Sequence, residues 1–226
     1  DVAAGSSLTL NAPFTFSAAT NSLQKNDLGT LVITADNSTR TGTTTLAGGI
    51  LRIENANALG SGQIILNPGA ATAGNALWLA GGITLTNAIN MAASGAGSPN
   101  GINNTGGVFS ASGVNSIGTV GAITNSQSTG ITFGAGDGAT LNIGSLALGN
   151  SPTFNAVGTG IININGSIGT SGVTITKIGT GALNWTTAQT TTLAWAVKQG
   201  TFTISGGGQF SGGGGNITVE SGGLLN

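Results

Sequence analysis

The residues with the widest chemical range in this sequence are six carboxylates: Asp1, Asp27, Asp36, Glu54, Asp137 and Glu220. Glycoside hydrolysis needs two such groups across one bond, roughly 5 to 10 Å apart: one protonates the leaving oxygen, the other attacks or activates water. Only Asp27 and Asp36 are near each other in sequence. A repetitive fold could still join distant acids, so a polysaccharide-acting enzyme stays open as a minor reading. The simpler reading of every acid is a solvated surface charge. Much of the rest of the catalytic repertoire is missing, because the 226 residues include no His and no Cys. A Ser-His-Asp triad, a Cys nucleophile and the usual zinc ligand sets are thereby excluded. The expectation is no catalytic residue, no cofactor and no metal site.

Three weaker signals remain. Gly134-Ala135-Gly136-Asp137-Gly138 has some likeness to a calcium-binding nonapeptide, but it is a single copy with the wrong Gly-to-Asp spacing. A corner turn is the better reading. Trp185 and Trp195 fall in register with apolar neighbours and read as core. Trp78, between Leu77 and Leu79, reads as outward and is the one candidate contact for a sugar ring. Thr84/Thr86, Thr174/Thr176 and Thr201/Thr203 form outward pairs, but their irregular spacing argues against an ice-ordering array.

Composition narrows the class. The chain has 42 Gly, 5% charged residues, 38% hydrophobic residues and a net charge of −1. With five Lys/Arg there is no basic patch to neutralise phosphates, so nucleic-acid binding is excluded. The apolar content argues against disorder, which requires low hydrophobicity with high charge. Four Pro and no strict Gly period exclude collagen. No apolar run is long enough to insert in a membrane.

The elements that must position these residues are strands. Apolar–polar–apolar triplets recur: Leu8-Thr9-Leu10, Leu51-Arg52-Ile53, Ile83-Thr84-Leu85, Leu141-Asn142-Ile143, Ile162-Asn163-Ile164, Val173-Thr174-Ile175, Phe202-Thr203-Ile204 and Ile217-Thr218-Val219. Period two buries one face and exposes the other. Between the triplets, Gly, Asn and Ser supply tight corners. Strands arrive roughly every nine residues and inward residues are alike throughout, which favours a solenoid over a sandwich. Lys25-Asn26-Asp27-Leu28-Gly29-Thr30-Leu31 also echoes Lys177-Ile178-Gly179-Thr180-Gly181-Ala182-Leu183. A Thr-rich strand follows each, then a Gly opening a new strand, Gly49-Ile50-Leu51 or Gly200-Thr201-Phe202.

The segment from Gly29-Thr30-Leu31-Val32-Ile33 through Thr41-Gly42-Thr43-Thr44 and Gly49-Ile50-Leu51-Arg52-Ile53 to Ala58-Leu59-Gly60-Ser61-Gly62 resembles the passenger-associated transport repeat. This is also called the autotransporter-associated β-strand repeat. The copy beginning at Lys177 lacks the Thr-Gly and Ala-Leu-Gly pieces, and together the two cover under a third of the chain. The resemblance implies a right-handed parallel β-helix, a structural unit without an active site, in a large secreted or surface protein of Gram-negative type. Absence of Cys suits a chain that crosses the periplasm without disulfides.

The expected architecture is therefore all-β: one parallel β-solenoid over residues 1–226, about nine rungs with uncapped ends. An excursion loop is expected at 94–104. Leu8, Leu10, Leu31, Ile33, Leu51, Ile53, Ile83, Leu85, Leu141, Ile143, Val173, Ile175, Phe202, Ile204, Ile217 and Val219 should be buried. Thr9, Val32, Arg52, Thr84, Asn142, Thr174, Thr203 and Thr218 should face out. The expected role is a non-enzymatic stalk or adhesin passenger segment at the outer cell surface, exported across the periplasm. The alternative is a filament subunit stacked end to end. Expected partners are the flanking β-helix of a longer chain or another copy, and a surface polysaccharide at Trp78, with no nucleic acid and no membrane insertion.

Overall fold

The computed structural model describes residues 1–14, 18–66, 74–91, 106–119, 122–125, 131–169, 172–189, 192–205, 209–210 and 215–226. The expected excursion at 94–104 lies outside them. The described residues form 22 strands, numbered here in chain order, and no helix. The strands wind as a solenoid with three faces, and every pair is parallel.

Ten strands stack on the first face: β1 (Ser7–Leu10), β3 (Thr30–Ile33), β5 (Gly49–Ile53), β7 (Asn75–Ala80), β9 (Val108–Ser112), β12 (Thr132–Ala135), β15 (Thr153–Ala156), β17 (Val173–Ile178), β20 (Leu193–Ile204) and β22 (Ile217–Leu225). The second face holds β10 (Val114–Ile117), β13 (Thr140–Ile143), β16 (Ile161–Ile164), β18 (Ala182–Trp185) and the C-terminal halves of β20 and β22. The third holds β2 (Leu23–Lys25), β4 (Thr44–Leu46), β6 (Ile64–Leu66), β8 (Ile89–Met91), β11 (Ile123–Asn125) and β14 (Leu146–Leu148). Two short strands, β19 (Ala188–Gln189) and β21 (Gln209–Phe210), pair with each other. β20 and β22 turn from first face to second through a register shift between Val197 and Gln199.

Register explains why the alternation reads so regularly. On the first face one inward column runs Leu8, Leu31, Leu51, Leu77, Val108, Phe133, Phe154, Lys177, Val197, Val219. Each apolar member between Leu31 and Val197 is covered by the strand before and the strand after. A buried side chain of this size contributes about 1.5–3 kcal/mol. Phe133 and Phe154 stack in this column with centroids 5.7 Å apart. Toward the C-terminal end Trp195 lies 4.7 Å from Trp185 and 4.4 Å from Phe202, so both tryptophans are core, as their register requires.

Most of the expected inward set is buried: Leu31, Ile33, Leu51, Ile53, Ile83, Leu85, Leu141, Ile143, Ile175 and Phe202. Leu10, Val173, Ile204 and Ile217 are partly buried against the core. Leu8 and Val219 depart from the expectation, with 47% and 43% of their surface exposed. Alternation is intact at both. What differs is stacking: β1 pairs only with β3, and β22 only with β20. A side chain in a solenoid column needs a neighbour on each side, and these two have one. The outward set, Thr9, Val32, Arg52, Thr84, Asn142, Thr174, Thr203 and Thr218, is at least partly exposed throughout.

The internal repeat is a structural unit, and it can be placed around more than one corner of the prism. Thr30 and Leu31 pair with Ile50 and Leu51, as Ala182 and Leu183 pair with Thr201 and Phe202. The Ile50 amide donates to Gly29 O, as the Thr201 amide donates to Gly181 O. The first copy runs from the third face to the first, the second copy from the first face to the second.

Candidate functional site

The carboxylates are dispersed. Among the described residues no hydrogen bond or ion pair joins two of them, and no group of three His, Cys, Asp or Glu could hold a metal ion. Asp36 accepts from the Ser38 amide (2.8 Å) and from Asn57 Nδ2 on the next rung (2.8 Å). Asp137 accepts from the Thr159 amide (2.8 Å) and hydroxyl (2.7 Å), also one rung on. Gly134 and Ala135 end strand β12, and Gly136–Gly138 is accordingly a corner, closed by hydrogen bonds with Thr159 of the next rung. Glu54 pairs with Arg52 at 2.7 Å, and Glu220 lies 3.6 Å from Lys198. Asn26 Nδ2 donates to Asp1.

The cross-rung donors hold the Asp36 and Asp137 carboxyls below the usual carboxylate value, Asn57 leading for Asp36 and the Thr159 amide for Asp137. A depressed folded pKa gives stability that is present above the unfolded value and lost as pH falls through the folded one. The melting temperature should therefore fall between about pH 5 and pH 2. Asp137→Ala should lower it at neutral pH and flatten that acid limb. Calorimetry across the range checks this. An acid limb of unchanged slope in the variant would count against a corner role for Asp137.

Trp78 faces outward, as its neighbours Leu77 and Leu79 require, and is partly exposed. Its ring packs against Phe109 of the next rung, centroids 5.3 Å apart and tilted by 51°. Arg52 precedes it in the same outward column. Other outward residues form a ladder on the second face. Asn184 Nδ2 donates to Asn163 Oδ1 (2.9 Å), and Asn163 Nδ2 to Asn142 Oδ1 (2.8 Å). Thr84 and Thr203 belong to this column too, separated by Ser116 and the asparagines. The Thr174/Thr176 pair lies on the first face.

The most specific polar constellations lie inside. Lys25, Arg40 and Lys177 are three of the five basic residues, and all are buried. Lys177 stands in the inward column between Phe154 and Val197. Its ammonium donates to Ile178 O (2.8 Å), Gly179 O (2.7 Å) and, on the next rung, Gln199 O (3.0 Å). Lys25 does the same in the first repeat copy, donating to Asp27 O and, on the next rung, to Gly48 O (3.2 Å). Arg40 donates through Nη1 to Thr44 Oγ1 (2.9 Å) and to Leu59 O (2.8 Å) on the next rung, and through Nη2 to Thr43 O. Each cation thus ties corner oxygens of two successive rungs. Burial pushes Lys177 down to about 8 and lowers Lys25 and Arg40 as well. The sequence carries a signal for the two lysines: in Leu23-Gln24-Lys25 and Ile175-Thr176-Lys177, period two puts Lys on the inward side.

No family model, curated protein or solved structure matches this chain.

Proposed function

We propose that this chain is a non-enzymatic structural segment: a length of β-solenoid in a bacterial surface or secreted protein, serving as a stalk or adhesin passenger segment. One observation carries the reading. Five of the residues with chemical capacity are engaged in joining rungs, with Lys25, Arg40 and Lys177 tying corners from inside and Asp36 and Asp137 from outside. An active site would gather such groups on one face; here they are spread along the axis. The resemblance of Gly29–Gly62 to the passenger repeat supports export to the outer surface, and the lack of Cys agrees with it.

A second reading, end-to-end assembly into a filament, is favoured by the outermost strands. Leu8 on β1 and Val219, Leu224 and Leu225 on β22 are exposed apolar residues on strands with one paired neighbour. Such edges are templates for further β-structure. Further rungs of one chain and a second copy would cover them alike, so both structural readings share one test. Light scattering of the purified chain should show concentration-dependent association. Leu8→Lys with Val219→Lys should suppress it, since edge lysines block strand addition. Association unaffected by the double variant, or a wild type that stays single at every concentration, would reject edge pairing.

A further inference from the structure

We propose that Lys25 and Lys177 are register pins: they hold the rungs in one alignment at no gain in stability. The inference rests on the fold and is independent of the functional reading above. The problem they solve is set by the inward columns. On the first face, Leu8, Leu31, Leu51 and Leu77 succeed one another, so sliding a strand by one rung exchanges like for like. Hydrophobic burial then discriminates poorly between the native stack and a slipped one.

An ammonium in the column ends that degeneracy. It can be buried only where several carbonyls converge, and at Lys177 that place is one corner. Ile178 O and Gly179 O come from its own rung and Gln199 O from the next. The neighbouring column members, Phe154 and Val197, have apolar side chains that accept no hydrogen bond from it. A slip of two residues along the strand would carry the ammonium from the corner toward Ile175 and Trp195. Lys25 repeats the arrangement at the head of the column that continues with Leu46 and Leu66, with oxygens from Asp27 and Gly48. The equivalence is close, since the two next-rung oxygens both belong to the residue before a glycine of positive φ, Gly49 or Gly200.

Neither ammonium meets a carboxylate within ion-pairing distance: Lys177 is desolvated with only carbonyl dipoles in return, and Lys25 with carbonyl dipoles and the more distant charge of Asp27. Buried charge of this kind is weak for stability and is best attested as a means of specifying register. The lowered pKa of Lys177 agrees, because it means that the site disfavours the charge.

The test separates stability from fidelity. Lys177→Met keeps the apolar stem and removes the ammonium. Its folded form should melt within about 2 °C of wild type or higher, because the desolvation cost of the ammonium offsets what its three carbonyl contacts contribute. Its yield on refolding from denaturant should drop at least about two-fold, with duplicated amide resonances from slipped species. Val197→Ala, the next residue in the same column, should do the reverse: a lower melting temperature and a single refolded species. Lys25→Met should behave as Lys177→Met. The proposal is overturned if Lys177→Met melts as low as Val197→Ala, fails to accumulate in folded form, or refolds to one species at wild-type yield.

Discussion

Gly49→Ala and Gly200→Ala are each expected to destabilise the solenoid by about 3 kcal/mol or more. About 1–2 kcal/mol arises because an L side chain is placed in the left-handed region, where φ is +68° at Gly49 and +72° at Gly200. The rest is overlap. A Cβ at Gly49 would press into the carbonyl oxygens of Asp27 and Gly29, and one at Gly200 into those of Gly179 and Gly181. These are backbone atoms of the preceding rung and cannot swing aside, so overpacking adds about 1–3 kcal/mol. One of the two carbonyls at each corner, Asp27 O or Gly179 O, also accepts from the lysine, so the glycine and the lysine form one corner device: the glycine lets the next rung approach, the ammonium ties it. Denaturant titration of each variant measures the loss. A change under about 1 kcal/mol would mean that the corner relaxes and that rung contact there is loose.

Trp195→Ala should cost about 3–5 kcal/mol, the range for removing a large buried aromatic. Trp195 is fully enclosed and touches two rings, Trp185 before it and Phe202 after it, so the vacated space is lined by stiff neighbours that cannot close over it. Domains of this size are typically stable by about 5–15 kcal/mol, so the variant should sit near the edge of folding. Calorimetry gives the loss, and near-ultraviolet dichroism should lose the coupled Trp185–Trp195 signal. A melting temperature unchanged by the substitution would contradict the packing described for this end of the core.

Much of the fold is legible in period two. Leu31-Val32-Ile33 and Leu141-Asn142-Ile143 expose the middle residue and bury its neighbours because each strand lies between two others. Leu8-Thr9-Leu10 has the same pattern and a different fate, since burial in a solenoid depends on a neighbouring rung as well as on alternation. The Asn ladder is also legible in retrospect: Asn142, Asn163 and Asn184 recur every 21 residues, the length of a rung there. The inner clamps are harder to read. Alternation places Lys177 inward two residues after Ile175, whereas charge alone assigns it to the surface. Only the converging carbonyls of a corner reconcile the two, and those include oxygens of residues 22 or 23 positions away in the chain, Gln199 and Gly48. Arg40 lies outside any strand and has no alternation to reveal it. Trp78 is placed outward by its neighbours, but its partner Phe109 comes from another rung and is invisible in local pattern.

Electron microscopy of the purified 226-residue protein tests most directly the claim that the chain is a structural solenoid whose edges take further β-structure. Nine register steps separate β1 from β22 on the first face, which gives a body about 45 Å long at about 4.8 Å per step. The expected image is straight, unbranched rods of constant width, in lengths that are multiples of that body, and absent from the Leu8→Lys, Val219→Lys variant. Isolated bodies that never associate at any concentration would contradict the account and return attention to the outward face around Trp78.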